Sequence, residues 1–385
     1  MNQVDEVYLD NNASTQPLDA VVESVVSTMR ELFGNPSSAH SRGSVARHKL
    51  IEARETVASF LGAKADQIIF TSGGTEGNNT VLFGVLRSGV ANSLVTTVVE
   101  HASVLRPAEE IKASGTDVVY LPVDGDGRID CNLLEETLSA SPSTLVSIQW
   151  VNSETGVIQP IEDIAKLVRT YDALLHIDAA QAVGRLPINI NSVHVDFLTF
   201  SGHKLHGPLG TGVLYIRDPR RIKPLLFGGG QENGWRAGTE NLPGIVGLAR
   251  ACEVRASELT EAISKMQKLR DRFEKQILAN IPGVTVNGAS APRVCNTTNI
   301  RFSGLDGQAL LAQLNRLGVF CSQASACSSH RPESSHVLRA MGLSEEDAFA
   351  SLRFSFSVLN TEQEVERAVK AIRDSAARLR AFLKL

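Results

Sequence analysis

The sequence predicts an α/β protein, with a mainly parallel sheet in a large first region and a smaller α+β region from about residue 256 onward. Three observations carry that prediction. Apolar strand patterns alternate with helix patterns between residues 67 and 216, an order that builds a parallel sheet covered on both faces. A long helical pattern then begins near Leu242, runs to about Leu278 and is broken by Pro282-Gly283. Beyond it, strands and helices follow in mixed order. A chain of 385 residues is long enough for two domains.

Residues 67–72 (QIIFTS) read as a strand ending in a glycine turn, and 75–86 as the helix that leaves it. Strand patterns follow at 94–99, 117–121, 145–150 and 174–177, with helix patterns at 104–113, around 133–138 and at 161–170. Two further strands are expected at 196–200 and 212–216. In the second region strands are expected near 297–302, 319–321 and 352–356, and helices near 307–316 and 362–383. No internal repeat or low-complexity tract interrupts the pattern.

Composition narrows the function classes. Hydrophobic residues are 43% and charged residues 21%, the balance of a folded globular protein rather than a disordered one. Net charge is −4 and no polybasic stretch is present, so nothing favours a nucleic-acid or anionic-membrane partner. The apolar runs are strand-length, too short to span a bilayer. The N-terminal MNQVDEVYLDNN carries two acids and no basic segment, unlike a secretory signal, and points to the cytoplasm. Five cysteines at 131, 252, 295, 321 and 327 form no CxxC pair, which argues against a disulfide framework or a zinc site.

Ligands of open parallel sheets bind at the carboxyl ends of the strands, and polar residues cluster there. The first cluster, TSGGTEGNN at 71–79, leaves a strand and opens a helix. Gly73 and Gly74 free the backbone, and Thr75 stands at the helix N-terminus, a place suited to phosphate, although such a turn also simply caps a helix. It is neither a Walker A nor a GxGxxG sequence. The second, LLHIDAAQ at 174–181, ends an apolar strand at Asp178 with Gln181 just beyond. The third, DFLTFSGHKLHGP at 196–208, delivers Ser201, His203 and Lys204 into a Gly/Pro loop. A partly desolvated lysine can form a Schiff base. A lone lysine reads as a surface charge, but this one follows Asp178 by 26 residues and has a phosphate-type turn upstream. A Schiff-base lysine, an acid for a ring nitrogen and a phosphate pocket are the parts that pyridoxal phosphate chemistry needs.

At these residues the chain resembles the class V aminotransferase family of pyridoxal phosphate enzymes, and within it the NifS/IscS-like (group I) cysteine desulfurases. Nine motifs carry the resemblance in order: YLDNNAST at 8–15, FGNPSSAHSRG at 33–43, TSGGTEGNN at 71–79, EHASVL at 100–105, VNSETGVIQPI at 151–161, HIDAAQAVG at 176–184, SGHKLHGPLGTG at 201–212, GGGQENGWRAGTEN at 228–241 and SACSS at 325–329. The resemblance implies the fold type I architecture of these enzymes, with a large cofactor-binding domain over 15–255 and a small domain made of 1–14 and 256–385. It implies that Lys204 forms the Schiff base, that His101 lies over the cofactor ring and transfers protons, and that Asp178 holds the ring nitrogen protonated. Gln181 would bond the phenolic oxygen, while Gly74, Thr75, Ser201 and His203 would hold the phosphate. Thr239 would reach the phosphate of a neighbouring subunit, so a homodimer is implied. Asn152 and Arg353 would bind the substrate carboxylate, a task for which a planar bidentate donor is suited.

Cys327 lies in QASACSSHRP at 323–332, a small polar stretch without apolar periodicity. Such a stretch reads as a loop and is a poor place for a core cysteine. An exposed thiolate is the form that reacts, and His330 and Arg331 stand nearby in sequence. The resemblance implies that Cys327 takes sulfur from L-cysteine as a persulfide, releasing L-alanine. The sulfur would pass to an acceptor protein serving iron–sulfur cluster assembly or thiolation. The other four cysteines sit in or beside helix and strand patterns, where burial is expected. Cys321 is read as a strand-end core residue or as a partner for Cys327. Three features depart from the family pattern: Ala324 stands where glycine is typical, Ala237 where serine is common, and the chain ends at Leu385 without the longer tail some members use to dock a scaffold. A selenocysteine lyase, a cysteine sulfinate desulfinase or another class V lyase or transaminase shares the fold, and the presence of Cys327 discriminates. A non-catalytic partner protein is the remaining class, against which the intact Lys204, Asp178 and His101 argue.

Overall fold

A computed structural model describes residues 6–323 and 334–383. In chain order the elements are β1 (Val7–Tyr8), α1 (Asp19–Glu31), α2 (Ser41–Leu61), β2 (Ile68–Thr71), α3 (Gly74–Ser88), β3 (Ser93–Thr97), α4 (Ala102–Ala113), β4 (Asp117–Leu121), α5 (Cys131–Ala140), β5 (Thr144–Gln149), α6 (Ile161–Thr170), β6 (Leu174–Asp178), β7 (Phe197–Ser201) and β8 (Gly212–Ile216). The long α7 (Leu242–Asn280) leads to β9 (Val284–Val286), β10 (Thr297–Phe302), α8 (Gly307–Arg316), β11 (Val319–Phe320), β12 (Ser322–Gln323), α9 (His336–Ala340), α10 (Glu345–Phe349), β13 (Ser351–Ser355) and α11 (Glu362–Leu383).

Among the described residues the larger sheet has the order β2-β8-β7-β6-β5-β3-β4. Strands β7, β6, β5, β3 and β4 are parallel, while β8 runs antiparallel to both its neighbours. The sheet is mainly parallel, as the alternating sequence pattern predicts. Apart from the edge strand β4, its strands are buried on both faces, and their side chains alternate between two cores in the two-residue period of a strand. Val95, Val146, Leu175 and Leu198 face α2, α6 and α7. Their neighbours Leu94, Leu145, Leu174 and Phe197 face α3 and α4.

A second, antiparallel sheet of order β12-β13-β10-β9 packs against the last turns of α7, α8 and α11. Phe273 of α7 stands 4.9 Å from Phe354 and 5.4 Å from Phe356, ring centre to ring centre. Helix α7 is about 58 Å long by its residue count. It runs without interruption through residue 256, and serves both cores: Leu242, Leu248 and Met266 lie in the first, Leu269, Phe273 and Ile277 in the second. Val7 and Leu9 also pack into the second core.

The single strand expected near 319–321 is two. β11 pairs in parallel with β1, and β12 pairs with β13 in the other sheet. Cys321 sits at the crossover, where a strand leaves one partner and takes another. No described helix is long and apolar enough to cross a membrane.

Candidate active site

The parallel strands β3, β5, β6 and β7 end on one edge, and the candidate residues gather there. At the end of β7, Ser201 accepts a hydrogen bond from the Gly74 backbone N–H at 2.7 Å. A Cβ added at Gly74 would lie 3.1 Å from the Ser201 oxygen, so glycine is what lets helix and hydroxyl meet. Nearby, a Cβ at Gly212 would lie 2.5 Å from the Gly73 Cα, so the turn packs tightly on β8. Thr75 is exposed on the first turn of α3. A free helix N-terminus with hydroxyls on either side is a cradle with the chemistry of a phosphate site.

Asp178 ends β6. Its Oδ1 accepts from the Ala180 N–H at 3.0 Å, and its Oδ2 accepts from Asn78 Nδ2 at 2.8 Å. Lys204 closes the turn after β7 and donates to the carbonyls of Asn12 at 2.5 Å and Ala13 at 2.8 Å. His203 lies 3.2 Å from the Ser14 hydroxyl. Burial first, then the charges of Lys204 and Arg185, push its imidazole down to about 4, so it is neutral at pH 7. Gln181 donates to the Asn12 carbonyl at 3.0 Å and accepts from the buried Arg185.

His101 caps α4, its Nδ1 accepting from the Ser103 N–H at 3.1 Å. Its pKa is lowered, chiefly by desolvation; the Asp178 carboxylate works against that, while Lys204 and His336 add to it.

Arg353 lies on β13, buried rather than facing solvent as a bland strand arginine would. It donates to Asp10 Oδ1 at 2.7 Å and to the Ser153 carbonyl at 3.2 Å, while its buried Nε has no partner among the described residues. Asn152 is engaged as a turn former. Its Oδ1 accepts from the Glu154 and Thr155 backbones, and its Nδ2 donates to the Val99 carbonyl at 3.1 Å. Its second amide hydrogen has no partner among the described residues.

The segment 10–15 holds these parts together. Asn12 accepts from Lys204 and Gln181, donates to Ser153 at 3.0 Å and Thr297 at 2.9 Å, and receives from Asn296. Thr15 bonds the His203 carbonyl through both its N–H and its hydroxyl. Through Asp10 and Asn12 the segment joins both sheets. The motif YLDNNAST marks the segment, but spacing alone gives no hint that it is the tie between Lys204 and Arg353.

Two further acids escape sequence reading. Glu100, 1% exposed, accepts from Thr97 Oγ1 at 2.7 Å and from the Gln149 N–H at 2.8 Å. Burial above all, and the nearby Asp178, raise its carboxyl well above the usual range. Glu154 accepts from the Ser335 hydroxyl, and burial lifts it to about 7 against the opposing pull of Ser335 and Arg353. Each lies inside a quoted motif, Glu100 in EHASVL and Glu154 in VNSETGVIQPI, but nothing in the spacing marks it as a buried acid.

Thr239 is exposed on the loop before α7 and bonds none of the other candidates among the described residues. That loop is held by Arg236, which donates to Glu76 at 2.9 Å. Cys327 lies outside the described residues, as do Ala324, His330 and Arg331. Cys252 and Cys295 are buried as expected, and burial pushes the Cys295 thiol up to about 11. Cys131 and Cys321 are only half-buried, a correction to the expectation for both. Each packs against the rim of a core, at a helix start and at a strand crossover. For both, desolvation is the main cause of a raised thiol pKa.

The donor set suits pyridoxal phosphate. A glycine-lined cradle, a carboxylate at a strand end and a lysine amine stand on one edge of the larger sheet, and a buried guanidinium nitrogen with no partner among the described residues faces them from β13 of the second sheet.

Known proteins resemble this chain in sequence and fold. The family model Aminotransferase class-V matches residues 7–368. A protein of Trichormus azollae named cysteine desulfurase is 44% identical over 377 residues, covering 98% of this chain and 94% of that one. A solved NifS-like protein superposes with a TM-score of 0.90 at 37% identity, covering 97% of this chain and all of the other. A structure titled SspA in complex with cysteine matches with a TM-score of 0.81 at 35% identity, covering 92% and 100%.

Proposed function

The chain belongs to the class V aminotransferase family, and from that premise we propose that it is a pyridoxal phosphate-dependent cysteine desulfurase with Cys327 as its sulfur acceptor. The observation that carries the site assignment is the Asn12 segment, which ties Lys204 and Gln181 to the wall that bears Arg353.

Lys204 would supply the amine that holds the cofactor, Asp178 would serve its ring nitrogen, Gln181 its phenolic oxygen, and Gly74, Thr75, Ser201 and His203 would hold its phosphate. When bound, pyridoxal phosphate supplies an electron sink for the substrate α-carbon. Arg353 and the free hydrogen of Asn152 orient the L-cysteine carboxylate. His101 relays protons at the open edge. The Cys327 thiolate attacks the substrate sulfur, the carbon–sulfur bond breaks with its electron pair left on carbon, and a proton replaces the sulfur there. L-Cysteine and a thiol become L-alanine and a persulfide, so atoms and electrons balance. The persulfide is a reversible state that an acceptor protein discharges.

Thr239 completes the phosphate site of a second copy. Its exposure, and its place on the same joined loops as the exposed Phe227, support a homodimer: a Cβ at Gly228 would lie 2.9 Å from Ala237. The free thiols among the described residues suit a reducing compartment such as the cytoplasm.

The test is alanine release from L-cysteine under a reductant, with persulfide labelling of the protein. Wild type should release alanine and carry one labelled persulfide. Cys327→Ala should keep its bound cofactor and lose both. Sulfur transfer retained in that variant defeats the assignment of Cys327.

A further inference from the structure

Beneath the open edge of His101 lies a chain of hydrogen bonds whose directions can be worked out. Two donors converge on His101 Nδ1. The Ser103 backbone N–H stands 3.1 Å away and the Ser103 hydroxyl oxygen 2.7 Å away. A backbone amide can only donate, so Nδ1 accepts. Asn78, fully buried, settles the hydroxyl. Its Nδ2 donates to Asp178 Oδ2 at 2.8 Å, because a carboxylate oxygen can only accept. The same Nδ2 donates to Ser103 Oγ at 2.9 Å, and its Oδ1 accepts from the Thr199 hydroxyl. Ser103 Oγ therefore receives one hydrogen from Asn78 and sends its own to His101 Nδ1.

We propose that Ser103 and Asn78 are positioning residues that hold neutral His101 as the tautomer with its proton on Nε2. The proposal rests on the reading of His101 as part of the site. Neither residue touches substrate. They act through the ring, by fixing which nitrogen carries hydrogen at the open edge. A hydrogen on Nδ1 would meet the Ser103 N–H, which can only donate, and would force the Ser103 hydroxyl to turn its own hydrogen away from the ring. Asp178 anchors the far end of the chain, so the acid assigned to the cofactor nitrogen and the ring assigned to proton transfer share one amide.

The experiment is nitrogen NMR of protein labelled with 15N-histidine, read through the long-range couplings of the ring protons. The His101→Gln protein assigns the His101 ring by its missing signals. The spectra need no turnover, so they stand whether or not the desulfurase reading survives. In wild type, with and without pyridoxal phosphate, Nε2 should be protonated and Nδ1 bare, its resonance shifted upfield by the two donors. Ser103→Ala should move the Nδ1 resonance downfield, and Ser103→Thr should restore it. A hydroxyl that merely packed would leave that resonance in place. A protonated Nδ1 in wild type overturns the proposal, and this needs no variant to fold. An Nδ1 resonance unchanged in a folded Ser103→Ala overturns it as well.

Discussion

Arg353 is gripped on one side by Asp10 and left with a bare Nε. A guanidinium so held is a fixed fork, and lysine offers no second prong. A charge-assisted hydrogen bond contributes about 1.5–3 kcal/mol. Arg353→Lys should therefore raise KM for L-cysteine by roughly 10- to 100-fold with kcat less affected, and steady-state kinetics read the split. A second residue-scale expectation concerns Glu154. Burial raises its carboxyl from 4.5 to about 7, so the folded protein binds this proton more tightly than the unfolded chain does. The stability it contributes is full below about pH 4.5 and is lost as pH rises through about 7. That gap corresponds to roughly 3 kcal/mol. Glu154→Gln should flatten this part of the stability profile, measured as Tm between pH 4.5 and 7.5. An unchanged slope would remove Glu154 from the account. Its link to Ser335 makes the same carboxyl a brace for the start of α9, since Ser335 also caps the Leu338 N–H.

At the scale of elements, α7 is the member whose weakening should be felt most widely, because it is packed into both cores. Phe273 is fully buried between Phe354 and Phe356. Phe273→Ala should destabilise by about 3–5 kcal/mol through lost burial and a cavity, seen as a lowered denaturant midpoint with the slope preserved. The strands of the larger sheet were legible because each is a short apolar run bounded by turn residues, and the helices between them show periodic faces. Boundaries moved by one to three residues: the strand expected at 67–72 is Ile68–Thr71, preceded by a 3-10 turn at Ala65–Gln67. Helix α1 carries an apolar stripe at Val21, Val22, Val25, Val26 and Met29 that the strand-and-helix reading passed over, whereas α2 gave no readable stripe. The buried side of α2 is Gly43, Ala46, Leu50, Ala53, Val57, Ala58 and Leu61, mostly small residues that carry little hydrophobic contrast. The short β9, β12, α9 and α10 are made by tertiary pairing, and two to five residues give no period to detect.

The whole molecule explains why the site was half legible. Lys204, Asp178, Ser201 and Gly74 stand at strand ends, a position that the alternating pattern already marks. Asp10 and Arg353 are 343 residues apart, and no spacing rule joins them; only the packing of the N-terminal segment across both sheets does. The same limit applies beyond one chain. Phe33, Leu209 and Phe227 are each more than 70% exposed. The second copy of the homodimer proposed above would also engage Thr239, whose exposed side chain bonds none of the other site residues among the described residues. If that copy covers Phe227 and receives Thr239, assembly and cofactor binding are linked. Phe227→Glu should then shift the mass measured by light scattering from two chains to one, and lower cofactor occupancy with it. Thr239→Ala should lower occupancy while the mass stays at two chains. A wild-type protein that is a monomer with full occupancy would break the link at its source.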